Sequence, residues 1–196
     1  MVKYKNLIYT LIVLSGAGLT WVIYSSQPGS GPQIETESNQ MIYGDLAVTI
    51  PDGWIVESPK SSMRIGQLRL PGKPVGKPDA ELAVFSGIGG GVEANLERWF
   101  NQFEQIDGSS SSEIARIQNI EVNNLPVTLA DLSGTFIGGG MPMSQSVYKK
   151  NQRMIAAIVH VDGDYYYFKL LGHQETINYW TESFSNFVSS IKSIQD

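Results

Sequence analysis

The spacing of apolar residues alternates along the chain between a period of two, typical of strands, and a period near 3.6, typical of helices. Two short apolar runs within residues 41–51 flank the turn dipeptide Gly44-Asp45, which predicts a hairpin at the start of the folded part. Alternation over residues 63–71 predicts a half-buried strand, and the β-rich residues 81–86 predict another.

Two later segments have helical spacing and predict amphipathic helices. The first follows the glycine run that ends at Gly91, and its apolar positions are Val92, Leu96, Trp99, Phe100 and Phe103. The second closes the chain, with apolar positions at Ile177, Trp180, Phe184, Phe187, Val188 and Ile191. Each helix has a single apolar face, so each is expected to pack on a core.

Between these helices the sequence predicts two β-hairpins. Residues 115–122 and 125–138 are joined by Asn123-Asn124, and residues 154–161 and 164–172 are joined by Asp162-Gly163. Hairpin connections imply an antiparallel sheet. The predicted fold class is therefore α+β: an antiparallel sheet with two amphipathic helices packed on it, in the order strands, helix, strands, helix.

The N-terminal segment predicts a membrane helix that precedes this domain. Lys3 and Lys5 come before an uncharged segment from Leu7 to Tyr24, whose length of about 27 Å falls within the range of a bilayer span. A cleaved signal peptide is the alternative, but the segment ends in bulky residues such as Trp21 and lacks a small-residue cleavage site. We expect an uncleaved single-pass anchor over residues 1–24.

Residues 25–40 are rich in Ser, Gly, Pro and Gln, which predicts a flexible linker. Next to the apolar segment, basic residues lie only on its N-terminal side, whereas Glu35 and Glu37 follow it, so the positive-inside rule places residues 41–196 outside the cytoplasm. We expect an extracytoplasmic domain, periplasmic or extracellular, with the N-terminus in the cytoplasm.

Composition narrows the classes of partner. The 196 residues, of which 42% are hydrophobic, suffice for one globular domain plus appendages. The net charge of −5 argues against nucleic acid, because phosphate binding relies on clustered basic side chains. The absence of cysteine excludes disulfides, cysteine-ligated zinc, a thiol nucleophile and a lipoprotein cysteine.

Several phrases of the sequence resemble the PsbP-like fold, first seen in an extrinsic subunit of photosystem II. They are residues 50–54 (IPDGW) after the first hairpin, residues 165–169 (YYYFK) in the late strand, and the aromatic closing helix. Residues 98–103 (RWFNQF), after a glycine run, also resemble bacterial membrane-tethered proteins without an assigned activity. The resemblance implies a non-enzymatic accessory or assembly subunit at a membrane.

The residues that could bind a metal or catalyse a reaction are histidines and aspartates. His160, Asp162 and Asp164 alternate across a hairpin as metal ligands could, but Asp162 is a turn residue, and we favour a simple hairpin. His173 precedes the closing helix, where a polar residue caps it. If the chain has an unrecognised active site, Asp131 or Asp164 is the carboxylate that we expect it to use.

Glycine runs and tyrosines are the remaining candidates. Residues 87–91 lack the features of a phosphate loop, so we expect a structural turn. Residues 138–140 are expected to connect strands, with a mobile binding loop as the alternative. Tyr165 and Tyr167 should share one sheet face, and Tyr166 and Phe168 the other. Whether one pair is exposed for binding or both pack in the core stays open.

From these observations we assign no catalytic, cofactor-binding or metal-binding residues and no cofactor. The leading hypothesis is a membrane-tethered extracytoplasmic binding or assembly module. Its expected partners are the bilayer, through the N-terminal helix, and a membrane or envelope protein. A small-ligand or carbohydrate-binding domain is the alternative, and an enzyme with an unrecognised carboxylate site ranks third.

Overall fold

The computed structural model describes residues 39–138 and 148–195, which form two antiparallel sheets and three helices. The expected anchor from Leu7 to Tyr24 and nearly all of the expected linker lie outside the described residues; Gln40, its last residue, already belongs to a strand. Across the two described ranges, none of the helices has both the length and the apolar character that a bilayer span needs.

The elements follow one another as strands, helix, strands, helix, with short additions. The strands are β1 (Gln40–Tyr43), β2 (Leu46–Thr49), β3 (Ile55–Glu57), β4 (Gly66–Leu70), β5 (Ala80–Ser86), β6 (Phe103–Glu104), β7 (Arg116–Val122), β8 (Leu125–Phe136), β9 (Lys149–Val161), β10 (Asp164–His173) and β11 (Lys192–Ser193). The helices are α1 (Gly91–Phe100), α2 (Ser111–Ile114) and α3 (Gln174–Ser189).

The predicted hairpins are confirmed. β7 and β8 are joined at Asn123 and Asn124, whose φ values are 47° and 64°. β9 and β10 are joined at Asp162 and Gly163, with φ values of 51° and 87°. Positive φ at both central residues is the backbone of a tight hairpin turn, and Asn, Asp and Gly accept it at the lowest cost.

The prediction of a single sheet is wrong, because the first hairpin belongs to a second, small sheet. β1 and β2 pair with each other and with β11 after the last helix. The large sheet has the order β3-β4-β5-β10-β9-β8-β6, and β7 also pairs with β8. The two-residue strand β11 has no hydrophobic pattern of its own, so the pairing could not be derived from periodicity.

The expectation of two helices also needs correction. The short helix α2 lies in the polar, serine-rich segment before β7, where the Ser111 hydroxyl donates to the carbonyl of Phe103 at 2.9 Å. Helix α1 ends at Phe100, and Phe103 lies in β6, opposite Phe136. Ile191 likewise lies beyond the end of α3 at Ser189. At both helices, the apolar spacing in the sequence extends past the last helical residue.

The large sheet is covered on both faces by helices with single apolar faces. Phe168 and Leu170 of β10 belong to the core that contains α3, whereas Tyr167 packs with the residues of α1. Phe187 of α3 is fully buried and its ring centroid lies 5.3 Å from that of Trp54 and 5.4 Å from that of Phe168. Two-sided burial fixes strand register, since a slip by one residue would exchange the two faces.

Candidate functional site

Strand β7 is an open edge of the large sheet. Within the described residues it pairs only with β8, and its side chains from Arg116 to Glu121 are exposed. On the side away from β8, alternate residues present backbone N–H and C=O groups that have no partner strand. An edge of this length is a template for pairing with another chain.

A groove of about 280 Å³ runs beside this edge, between β7 and α3. Helix α3 packs on β9 and β10, and residues of β8 and β9 form the floor of the groove between α3 and β7. Its apolar lining comes from Ile120, Leu129, Ile155, Phe184 and Val188. Ile120 is 38% exposed, so an isoleucine borders the groove on the edge strand itself.

An ion pair forms part of the groove lining. Arg153 of β9 donates to both carboxylate oxygens of Asp131, from Nε to Oδ1 at 2.9 Å and from Nη2 to Oδ2 at 2.8 Å. Its third nitrogen reaches Asn178 Oδ1 at 2.7 Å and Thr181 Oγ1 at 3.1 Å on α3. Bidentate pairs of this kind hold geometry well, so Arg153 fixes the distance between the sheet and α3.

The two carboxylates considered for catalysis do not come together. Asp131 pairs across the sheet with Ile155 of β9, whereas Asp164 pairs with Val161 on the same strand. Six residues along a strand correspond to about 20 Å. The bidentate contact with Arg153 also occupies both oxygens of Asp131.

The histidine candidates have structural contacts. The ring of His160 stacks on that of Tyr165 at a centroid distance of 4.7 Å, and Asp162 lies in the hairpin turn. His173 caps α3, since its Nδ1 accepts from the backbone N–H of Glu175 at 3.3 Å, as the cap reading expected. In residues 39–138 and 148–195, no cluster of three or more potential ligands could hold a metal ion.

The glycine run before α1 forms a turn that one buried side chain stabilises through hydrogen bonds. The buried amide of Asn95 donates to the carbonyls of Gly89 at 3.1 Å and Gly91 at 2.6 Å. Gly90 has φ 101°, a region that other residues rarely adopt. These contacts support the structural reading; of the second run, Gly138 is described and Gly139 and Gly140 lie outside the described residues.

The tyrosines divide between the two faces as predicted. Tyr165 and Tyr167 lie on the α1 side, and Tyr166 and Phe168 lie on the α3 side. Tyr166, Tyr167 and Phe168 are buried, and only Tyr165 is partly exposed. The choice left open from the sequence is therefore decided in favour of core packing.

Sequence analysis missed Lys169. It alternates with Tyr165 and Tyr167 on the face that α1 covers, so the signal was a lysine at an inward position of a strand. Burial lowers the pKa of Lys169 to about 7, and the nearby guanidinium groups of Arg98 and Arg64 lower it further. Such a shift at an inward-facing amine marks a candidate site.

Comparison with known proteins gives similarity in structure only. No protein-family model matches the chain, and no curated protein matches it in sequence. The fold is similar to the solution structure of cyanobacterial PsbP from Synechocystis sp. PCC 6803, with a TM-score of 0.47 and 11% identity over 85% of this chain and 98% of that one. The resemblance stated from the sequence names the same fold.

A second similar structure is that of a Pseudomonas aeruginosa protein of unknown function. The TM-score is 0.43 at 11% identity, and the similarity covers 77% of this chain and 93% of that one.

Proposed function

We propose that this chain is a membrane-tethered, extracytoplasmic binding module without catalytic activity, which takes up an extended segment of a partner protein at the β7 edge. The observation that carries the proposal is the open β7 strand beside an apolar groove. In strand addition, backbone hydrogen bonds supply affinity, and pockets for alternate side chains supply specificity. Both parts are present on this side of the sheet.

The dimensions of the edge define the segment that fits. The seven residues of β7 extend over about 23 Å, which matches a partner segment of about seven residues. Alternate side chains of that segment would point toward Ile120, Phe184 and Val188 in the groove. Apolar residues at alternate positions are therefore the expected signature of the partner.

A second copy of this chain fits the same edge less well. Antiparallel pairing of two β7 strands across a two-fold axis overlaps fully only when it is centred on Asn119. That register places Ile117 opposite Glu121 of the copy and Arg116 opposite Val122. Pairs of apolar and charged side chains contribute little to sheet stability, so we favour a different chain as the partner.

The membrane tether rests on the sequence from Leu7 to Tyr24. The linker over residues 25–40 would span roughly 20 to 25 Å, enough for the domain to meet a protein in the same bilayer. Deletion of residues 1–24 should release the chain from the membrane fraction, measured by immunoblot after carbonate extraction. A deletion variant that stays with the membrane, or full-length protein that is extracted, would contradict the tether.

Ile120→Lys should reduce partner binding about tenfold or more, because it places a charge on the wall of the apolar groove. The measurement is chemical crosslinking of full-length protein in native membranes, with the yield of the adduct compared between variants. Ile55→Lys on the opposite edge strand is the matched control, since Ile55 and Ile120 are both 38% exposed. Equal loss in both variants, or in neither, would contradict the assignment of the edge.

A further inference from the structure

Lys169 is a basic group for which the described residues supply no charged partner. Its cross-strand neighbours, Ala83 and Ala156, are small and uncharged. Its Nζ donates to Gln102 Oε1 at 2.7 Å and lies 5.1 Å from the centroid of the Trp99 ring. Within the described residues, no carboxylate lies at ion-pair distance from this ammonium.

Two arginines lie near Lys169, and the described carboxylates around them are too few to pair with every cation. Arg98 of α1 donates to the side-chain oxygen of Asn95 and forms no ion pair in the described part of the chain. Arg64 pairs with Glu81 at 2.7 Å, but Glu81 also pairs with Lys60 at 2.5 Å. One carboxylate is therefore shared by two cations, while Lys169 and Arg98 have none among the described residues.

A cleft of about 670 Å³ is lined by Arg98 and Trp99, while Lys169 lies outside its lining, next to the Trp99 ring. Its other walls are mostly apolar and come from Met63, Ile65, Phe85 and Ile88, with Ser62 and Ser86 as polar additions. Met63 is 66% exposed and Ile65 41% exposed, so the apolar part of the cleft opens to its surroundings. The cleft thus combines a cationic end with an apolar body.

We propose that this cleft binds an amphiphilic anion, with its carboxylate or phosphate headgroup paired to Arg98, in the electrostatic range of Lys169, and its apolar part against Met63, Ile65 and Ile88. A headgroup of this kind would supply a counter-charge for both cations, and charge-assisted hydrogen bonds to a guanidinium are the strong class. The Trp99 face and the aliphatic walls would exclude water from the pair. The proposal does not depend on the β7 edge, which lies on another strand.

Binding of such an anion should be linked to protonation of Lys169. The charged or titratable groups near Lys169 are Arg98 from α1, Arg64 before β4, Glu81 from β5 and Tyr167 from β10 itself, while β9 faces it with Ala156. Tyr165 and His160, stacked on each other, lie further along the same face. Burial and, after it, the two arginines lower the pKa of Lys169, and the negative charge of a bound anion would raise it. Saturation with ligand should therefore move its pKa upward by one unit or more.

The experiment uses full-length protein in nanodiscs of neutral phosphatidylcholine, titrated with hexyl phosphate and with hexanoate. The Lys169 side-chain resonance, followed by NMR, reports both occupancy and pKa. We expect saturable binding of hexyl phosphate or hexanoate, and binding about tenfold weaker in Lys169→Met and in Arg98→Gln. Lys192→Met on the small sheet is the control that should keep the affinity of the original chain.

Two results would overturn the proposal. The first is that uncharged hexanol binds as tightly as the anions. The second is that Lys169→Met or Arg98→Gln binds the anions as tightly as the original chain. A parallel titration in nanodiscs that contain phosphatidylglycerol distinguishes the sources of the headgroup. If these nanodiscs raise the pKa of Lys169 without added ligand, the anion is a lipid of the bilayer; if only the free compounds do so, it is a soluble acid.

Discussion

Replacement of Lys169 by methionine should raise the free energy of unfolding at pH 7 by about 2 kcal/mol. In the folded chain burial lowers the pKa of Lys169 to about 7, against 10.5 for an ordinary lysine. The protonated amine is thus disfavoured by folding, and methionine removes the charge while it keeps an unbranched side chain in the same space.

The same residue makes stability depend on pH in a defined direction. Between pH 7 and 10.5 the unfolded chain holds the proton and the folded chain releases it, so the free energy of unfolding rises with pH. The expected rise from pH 7 to pH 9 is about 2 kcal/mol. Burial raises the pKa of Tyr43 to about 12, so above pH 10 the unfolded chain loses the tyrosine proton before the folded chain does. The free energy of unfolding then falls as pH rises, and the pH series therefore ends below that value.

Urea unfolding of the full-length chain at pH 7, 8 and 9 measures both effects. Lys169→Met should be more stable at pH 7 than the original chain, and its free energy of unfolding should rise little between pH 7 and pH 9. Lys192 is an exposed lysine, so Lys192→Met should show the same pH dependence as the original chain. A rise of unchanged size in Lys169→Met would show that another group titrates and that Lys169 is not buried as a cation.

Phe187→Ala should lower the free energy of unfolding by about 3 to 5 kcal/mol, the second large effect. Phe187 is fully buried and contacts the rings of Trp54, Phe168 and Phe184, so it joins α3, the large sheet and the segment after β2. Loss of its ring leaves a cavity that three separate elements would have to close together.

Thermal and urea unfolding of this variant, beside Glu182→Ala, provide the test. Glu182 lies on the exposed side of the same helix, so its replacement should change stability by less than about 0.5 kcal/mol. A loss below about 1 kcal/mol in Phe187→Ala would contradict the placement of this ring at the centre of the α3 core.

The local parts of the fold could be predicted because short-range chemistry specifies them. The Asn123-Asn124 and Asp162-Gly163 turns carry residues that accept positive φ, and the helical faces of α1 and α3 have the period of a buried stripe. The two-face division at Tyr166 and Tyr167 follows from strand alternation alone. In each case, the cause lies within about ten residues of chain.

Features that depend on distant pairing could not be predicted in this way. The small sheet joins β11 to the first hairpin across most of the chain, and two residues carry no periodicity that would reveal it. The β7 edge is open only because no later strand pairs with it in the described part of the chain. Lys169 becomes unusual only when α1 brings Arg98 and Trp99 over it.

Photo-crosslinking from a single residue tests the central claim, binding of a partner segment at the β7 edge, most directly. A photoreactive residue replaces Gln118 in the full-length chain in native membranes, and the control replaces Val56 on the opposite edge strand β3. We predict one defined protein adduct from position 118, with crosslinked partner residues at alternate positions, and none from position 56. An adduct with a second copy of this chain, equal adducts from both positions, or no adduct at position 118 would contradict it.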